Sequence, residues 1–195
     1  ARVYVRAGRQ EAKKAAARAI KLDPAYGPPY LLLAELYEEE RLDNVALFYY
    51  REFLEHNPED EEAVYRFARH LAESGRGAEA QQLLVRLKDA RRYAILGQIL
   101  IGRGNYEEGL QAFDAFIRTL PEDEQEFYRD ISIVAKPREA AAYRETPPER
   151  RQDFLRRFWL DKDPLKASGG LMRWCEHYRR VLYAREHYGK QYPWD

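Results

Sequence analysis

The sequence has little sulfur and no excess of either charge. Its one cysteine, Cys175, excludes an intramolecular disulfide, but a single thiol does not decide the compartment. Lysine plus arginine and aspartate plus glutamate number 33 each, so the net charge is zero and no global field attracts nucleic acid or an anionic membrane. No run approaches the ~20 apolar residues that span a bilayer. We therefore expect no nucleic-acid partner and no membrane span.

Apolar and aromatic residues are plentiful by contrast, and they recur at a regular spacing. They make up 45% of the chain and include 15 tyrosines, which suits a helix-rich core. The small residues Ala12, Ala46 and Ala80 begin the same ladder of positions at intervals of 34 residues. A period of this size indicates a repeat architecture. In the stretch VALFYYREFLEHNP the ladder consists of Ala46, Tyr50, Phe53 and Pro58.

Each period predicts a pair of helices. The ladder marks one face of the second helix, and another apolar face precedes it on the first. Gly75 ends the first helix of the third hairpin. That hairpin is short, because the next ladder begins at Gly109, only 29 residues after Ala80. The first-helix faces are Tyr30, Leu33, Ala34 and Tyr37 in one period and Val64, Tyr65, Phe67, Ala68 and Leu71 in the next.

This pattern of aromatic, leucine, small residue, tyrosine, glycine, alanine, phenylalanine, alanine and proline resembles tetratricopeptide repeats. The stretches YLLLAELY with NVALFYYREFLEHNP, and YAILGQIL with GNYEEGLQAFDAFIRTLP, carry the resemblance most closely. It implies an all-α fold, a right-handed solenoid of antiparallel helix pairs over residues 1–121. Gly109 stands where alanine is usual and Arg92 where proline is usual, so we expect a tightened or rotated junction between repeats three and four. The repeats are a partial first one, then 27–60, a shortened 61–89, and 90–123.

The repeat period disappears after Pro121. Residues 122–134 predict a helix, followed after a break by a short helix through Tyr143. Because the last hairpin of a solenoid leaves an apolar face without a successor, we expect the first of these helices to cap the fourth repeat. The apolar face of that helix consists of Phe127, Ile131 and Val134.

Two longer helices complete the chain. Thr146 as N-cap, Pro147 at the first helical position and Glu149 form a capping-box arrangement that predicts a helix start. The last helix is amphipathic and stops at Gly189. The apolar faces are Phe154, Leu155, Phe158 and Trp159 on the first and Leu171, Trp174, Cys175, Tyr178, Val181 and Leu182 on the second.

The end of the sequence carries a second resemblance. The stretches FLRRFWLDKDP and EHYRRVLYAREHYG, with the aromatic end YPWD, resemble the beginning of a bacterial domain defined by a Gly-Trp-x-Thr-Asp motif. Trp194 and Asp195 match the motif, whereas Pro193 stands in the glycine place and the threonine is missing. The resemblance implies a C-terminal helical module over residues 122–195 that is truncated at its end.

The strongest candidates for catalytic or metal-binding residues are in the repeated sequence EHY at residues 176–178 and 186–188. His177 and His187 differ by roughly 80° in direction on a helix, so they cannot share one metal ion. Cys175 falls on a different face from His177 and is typical of a small packed hydrophobe. The sequence contains no P-loop, dinucleotide fingerprint or zinc pattern. We expect a non-enzymatic protein with no catalytic residue, no metal and no cofactor.

The resemblance to tetratricopeptide repeats implies a scaffold that binds a peptide or partner helix on a concave surface. The Lys/Asn set with which chaperone-binding relatives hold a C-terminal carboxylate is absent, which disfavours that kind of partner. Alternatively, the chain is the docking or regulatory N-terminal part of a larger bacterial protein whose activity lies beyond Asp195. The groove positions that the resemblance implies are Leu31, Glu35, Glu38, Tyr65, Arg69, Ala94, Gln98 and Ile101.

The identity of the partner, the oligomeric state and the compartment stay open. The start ARVYVRAGRQ lacks the long apolar core of a signal peptide and reads as the middle of a helix. We expect a bacterial extracytoplasmic location if a targeting segment has been removed ahead of Ala1, and a cytoplasmic location otherwise.

Overall fold

The computed structural model describes residues 2–163 and 171–189, with side chains for 8–163, 171–186 and 188–189. Every regular element among these residues is a helix, which confirms the all-α fold class. None of the described helices is long and apolar enough to cross a membrane. The helices are α1 (Arg2–Leu22), α2 (Pro28–Glu39), α3 (Asp43–His56), α4 (Glu61–Glu73), α5 (Gly77–Leu84), α6 (Arg91–Gly102), α7 (Tyr106–Ile117), α8 (Glu122–Arg129), α9 (Pro137–Glu145), α10 (Pro148–Lys162) and α11 (Met172–Tyr188).

The chain divides into two compact units, Ala1–Ile95 and Leu96–Asp195. The division falls inside α6. Helix α7 packs against α8 and α11 in the C-terminal unit. The predicted domain boundary between residues 121 and 122, and the division of residues 1–123 into single repeats, stay predictions.

The N-terminal unit contains two helical hairpins, α2 with α3 and α4 with α5, and α1 packs against α2. The small residues of the sequence pattern lie at the centre of this packing. Without long side chains between them, two helices approach closely enough for the ridges of one to enter the grooves of the other. The predicted packing role of the ladder is confirmed at Ala46 and Ala80, which are 0% exposed, whereas Ala12 is partly exposed. Ala34 and Ala68, on the first helices of the two hairpins, are also 0% exposed.

Helix ends in this unit have local causes. Asp60 precedes α4, and its carboxylate accepts a hydrogen bond from the backbone N–H of Ala63 at 2.9 Å. That bond satisfies one N–H group of the first turn, which has no acceptor inside the helix. Gly75 follows α4 with a φ of +80°, a left-handed conformation that glycine adopts without steric strain. The helix break predicted at Gly75 is therefore confirmed.

An aromatic cluster forms the core of the C-terminal unit. The ring of Tyr178 on α11 lies about 6.0 Å from the rings of Phe113 on α7, Tyr128 on α8 and Trp174. All four side chains are buried. Burying an aromatic side chain stabilises the folded state by ~1.5–3 kcal/mol, so the cluster holds α8 and α11 against α7. The predicted packing of the segment after Pro121 against the preceding hairpin is confirmed.

The predicted apolar face of residues 122–134 is wrong at Phe127 and Val134. Helix α8 ends at Arg129, and Phe127 and Val134 are 42% and 48% exposed, whereas Tyr128 and Ile131 are buried. Asp130 adopts an extended conformation, and its carboxylate accepts a hydrogen bond from the backbone N–H of Ser132 at 2.8 Å. A short acidic side chain that binds the nearby backbone in this way competes with helix continuation. The helix therefore ends at Arg129, and Ile131 is buried from the non-helical segment that follows it.

The capping box predicted at Thr146 is also wrong. The Thr146 hydroxyl donates a hydrogen bond to the carbonyl oxygen of Ala142 at 2.7 Å, so the residue closes α9. Helix α10 begins at Pro148, and its N-cap position makes no side-chain hydrogen bond. An interaction of the capping-box kind occurs one helix earlier, where the Glu139 carboxylate accepts from the backbone N–H of Lys136 at 2.7 Å.

Two glycines mark the close approach of α6 and α7. A Cβ atom at Gly97 would lie 2.7 Å from the ring of Phe113. A Cβ atom at Gly109 would lie 2.8 Å from Cγ1 of Ile101. Both distances are shorter than the ~3.5–4.0 Å of a favourable carbon contact. The glycine at position 109, where the repeat pattern has alanine, thus permits a tighter crossing than alanine would.

We predict that Gly109→Ala destabilises the protein by about 1–3 kcal/mol, because the added methyl group overpacks the crossing. This loss outweighs the ~1 kcal/mol by which alanine is the better helix former. The control is Gly102→Ala, since a Cβ atom at Gly102 meets nothing within 4 Å. Chemical denaturation measures both variants, and equal free energies of unfolding for the two would contradict the proposed close crossing.

Candidate functional site

Side chains of opposite charge alternate along one side of the N-terminal unit. We call this set the charge ladder. Helix α2 contributes two of its carboxylates, α4 contributes a carboxylate and two guanidinium groups, and α6 begins with the last guanidinium. The members are Glu35, Glu38, Glu62, Arg66, Arg69 and Arg91.

Glu38 is the most connected member of the charge ladder. One carboxylate oxygen accepts a hydrogen bond from Arg69 at 2.5 Å and lies 3.2 Å from Nε2 of His70. The other oxygen accepts a hydrogen bond from the Tyr50 hydroxyl at 2.5 Å. Tyr50 belongs to α3, and Arg69 and His70 belong to α4. A single carboxylate on α2 therefore joins both helices that follow it.

These contacts keep Glu38 ionised. Burial by itself raises the Glu38 pKa, but hydrogen bonds from His70 and Tyr50 and the charges of His70 and Arg69 outweigh it and lower the pKa to about 2. The pKa of Tyr50 is raised well above its usual range by burial and by its hydrogen bond to Glu38. At neutral pH the tyrosine is therefore a donor and the glutamate an acceptor.

The remaining members of the charge ladder form partly exposed ion pairs. Arg66 lies 3.0 Å from Glu35 and 3.1 Å from Glu62. Glu62 in turn lies 2.7 Å from Arg91, which also pairs with Asp89 at 2.8 Å. Burial raises the Glu62 pKa, but the hydrogen bonds from Arg91 and Arg66 outweigh this effect and the pKa is lowered. The surface of α2 and α4 thus carries many charges that already have partners.

Tyr65 provides an aromatic face among these charges. The guanidinium carbon of Arg91 lies 4.3 Å from the centre of the Tyr65 ring, and that of Arg69 lies 6.0 Å from it. Cations within about 6 Å of an aromatic ring face are attracted by its quadrupole. The ring is 8% exposed, so it orients the arginines more than it offers surface to a partner.

The structure places the eight predicted groove residues in different settings. It brings together Glu38 and Arg69, and it sets Tyr65 beside Arg69. Ala94 is 1% exposed, so its side chain has no surface for a partner. Whether any of the eight contacts a partner stays a prediction. Leu31, Glu35 and Glu38 are partly exposed in the N-terminal unit, and Gln98 and Ile101 are partly exposed in the C-terminal unit.

The predicted groove residues do not include Arg66, Glu62 and Arg91, which complete the charge ladder. A signal for them exists in the spacing of opposite charges. The pairs Glu35–Arg66 and Glu38–Arg69 are separated by 31 residues, and Glu62–Arg91 by 29. These separations are close to the repeat period, so they connect equivalent helices of successive hairpins.

The histidine and cysteine of α11 have structural partners. A ring nitrogen of His177 lies 2.9 Å from the Tyr128 carbonyl oxygen, and burial lowers the His177 pKa. The neutral ring therefore donates this hydrogen bond near pH 7. The Cys175 thiol donates to the Tyr106 carbonyl oxygen at 3.3 Å, and burial raises its pKa to about 12. In the part of the chain that the structure describes, no three His, Cys, Asp or Glu residues are grouped to hold a metal ion.

We predict that Glu38→Gln destabilises the protein by about 1–3 kcal/mol at pH 7, because Arg69 loses the charge of the carboxylate that binds it at 2.5 Å. The folded-state pKa of Glu38 lies below the ordinary value of 4.5, so its stabilising contribution is present above pH 4.5 and is lost as the pH falls toward 2. The difference between wild type and variant should therefore narrow over this interval in urea denaturation.

The control is Glu39→Gln on the same helix, because Glu39 makes an exposed ion pair with Arg9. Exposed pairs of this kind contribute about 0–1 kcal/mol. A Glu38→Gln variant with the stability and pH dependence of the control would mean that the Glu38 contacts do not form in solution.

Comparison with known proteins supports the repeat assignment for part of the chain. Residues 44–94 match the tetratricopeptide repeat family, a segment that includes all of α4 and α5. No curated protein is significantly similar to the chain. Trp194 and Asp195, on which the resemblance to the bacterial Gly-Trp-x-Thr-Asp domain rests, lie outside the described residues. The matched segment is thus similar to a family of typically non-catalytic protein-interaction modules.

Proposed function

We propose that the protein is a non-enzymatic scaffold that binds a peptide or a partner helix on the surface formed by α2 and α4. The observation that carries this proposal is the charge ladder, which occupies the surface where the repeat pattern places its groove. Binding in a groove of this kind uses side chains on the first helix of each hairpin. Leu31 adds a partly exposed apolar side chain to the same set of positions.

The charge ladder is already ordered without a partner. The side chains of Arg66 and Arg91 are 32% and 37% exposed, and each is held by at least two carboxylates. A guanidinium group has five N–H donors, so donors remain for a partner after these pairs have formed. Because these side chains are already fixed, binding a partner costs less side-chain conformational entropy, and the affinity is higher for that reason.

The balance of charge favours a particular kind of partner. Carboxylates outnumber guanidinium groups here, because Asp89 and Glu73 lie beside Arg91 and Arg69 respectively. A segment with lysine or arginine side chains and an apolar residue for Leu31 matches this surface better than a C-terminal carboxylate does. Charge complementarity of this kind contributes mainly to specificity and to the rate of association.

Site-specific photo-crosslinking tests the location of the surface. A photoreactive amino acid at Leu31 should form an adduct with one discrete protein in an extract of the cells that produce this chain. The matched control carries the same amino acid at Phe48 on α3, which is 53% exposed. Adducts of equal yield at both positions, or adducts at Phe48 alone, would show that α2 does not form the binding surface.

We predict that Glu35→Lys weakens binding of the crosslinked partner about tenfold, which corresponds to about 1.4 kcal/mol, without unfolding the protein. The reason is that Glu35 is partly exposed and pairs only with Arg66 among the contacts of the charge ladder. Titration calorimetry measures the affinity. The control is Glu55→Lys, the same charge reversal at an exposed position of α3, and it should leave the affinity unchanged. Equal affinities for the two variants would contradict a role of the charge ladder in recognition.

A further inference from the structure

The C-terminal unit contains a pocket that the proposed groove does not use. Its volume is about 630 Å³. This lies in the range of about 300–1,000 Å³ that is typical of binding pockets in proteins. One wall comes from α11, and the others come from α10, the start of α7, the end of α6 and the segment between α8 and α9.

Aromatic and aliphatic side chains form much of the interior of the pocket. Trp159 forms part of it and is buried, and its ring lies 5.0 Å from the ring of His177. Tyr106 and Met172 are partly exposed, and Val134 is 48% exposed at the mouth. A pocket lined in this way with an open mouth leaves apolar surface in water, so an apolar group that enters it gains free energy by desolvation.

The mouth of the pocket is basic. Arg173, Arg179 and Arg180 line the pocket and are exposed, and Glu176 is the one carboxylate among the described lining residues. Glu176 accepts hydrogen bonds from both Arg179 and Arg180, at 2.9 and 2.8 Å. Burial raises the Glu176 pKa, but these hydrogen bonds outweigh it and lower the pKa, so the carboxylate stays ionised. The mouth therefore carries a surplus of positive charge.

Arg173 contributes most of the charge available to a ligand. Its side chain is exposed and forms no ion pair with another residue of the described part of the chain. Its backbone N–H is held by the Asp163 carboxylate at 3.3 Å, which fixes the start of α11 at the pocket. A guanidinium group in this position binds a carboxylate in a bidentate manner without giving up an existing partner.

We propose that this pocket is a second protein-docking site, which takes an apolar side chain of a partner segment flanked by aspartate or glutamate. The arginines at the mouth favour aspartate or glutamate on either side of the bound residue. The apolar side chains inside the pocket favour an apolar side chain at the bound position. The wide mouth favours a side chain presented on a peptide, since hot-spot residues fill pockets of this kind while a polar rim excludes water. This proposal does not depend on the α2 and α4 surface.

The test uses the full chain and a fluorescein-labelled, end-blocked heptapeptide of sequence Glu-Asp-Glu-Phe-Leu-Glu-Asp. Fluorescence anisotropy should show saturable binding that weakens between about 50 and about 300 mM salt, because salt screens the charge pairs at the mouth. A peptide with serine in place of Phe-Leu should bind at least about tenfold more weakly, and so should a peptide with lysine in place of the acids.

Variants of the protein place the binding at the pocket. Arg173→Glu and Val134→Asp change exposed positions at the mouth, and each should weaken binding of the acidic peptide at least about tenfold. The control is Arg138→Glu on α9, the same charge reversal at an exposed arginine that does not line the pocket. It should change the affinity by less than about twofold. If the variants unfold at the same denaturant concentration as the wild type, the weaker peptide binding is due to the altered pocket and not to unfolding of the protein.

Several outcomes would overturn the proposal. Equal losses for Arg173→Glu and Arg138→Glu would indicate non-specific attraction, and undiminished binding of the serine peptide would indicate a charged patch without an anchor pocket. No measurable binding of the peptide, together with saturable binding of sodium decanoate in titration calorimetry, would assign the pocket to a small amphiphile. Light scattering that shows a dimer broken by Val134→Asp would assign it to a second copy of this chain.

Discussion

The partly buried carboxylate of Glu38 is the constraint on which the N-terminal unit depends. A carboxylate that loses its water destabilises a protein unless charged and hydrogen-bonding partners replace that water. Here the partners come from different helices, Tyr50 from α3 and Arg69 with His70 from α4. The contacts are satisfied only when the helices stack in one register. Glu38 therefore acts on the specificity of the packing as well as on its stability.

The same requirement explains why the candidate binding surface is charged and yet ordered. Once Arg69 is committed to Glu38, the neighbouring charges on α4 and α6 form their own pairs, with Arg66 between Glu35 and Glu62. Such a surface gives little affinity through net charge. It discriminates among partners instead, because a ligand has to match an arrangement of donors and acceptors that is already set.

The C-terminal unit solves its packing in a different way. Aromatic rings around Tyr178 replace the small residues of the repeats, and glycine at positions 97 and 109 permits a close approach of α6 and α7. Larger side chains leave irregular gaps between helices, and the pocket beside Trp159 is one of them. The two units thus carry surfaces of opposite electrostatic character. The arginines of α11 surround an apolar interior, whereas carboxylates are in the majority on α2 and α4.

The sequence by itself determined the helical class, the ladder of buried alanines and the helix breaks at Gly75 and Gly189, because period and backbone preference are properties of neighbouring residues. Only the tertiary structure decided the contacts of Glu38, the exposure of Phe127 and the role of Thr146. Glu38 and Arg69 can form their ion pair only when α2 and α4 pack in the correct relative position. The apolar pattern around Phe127 would allow α8 to continue, but the helix ends at Arg129 because Tyr128 and Ile131 are the residues that pack in the core. The Thr146 hydroxyl could cap either α9 or α10, and it bonds to the end of α9.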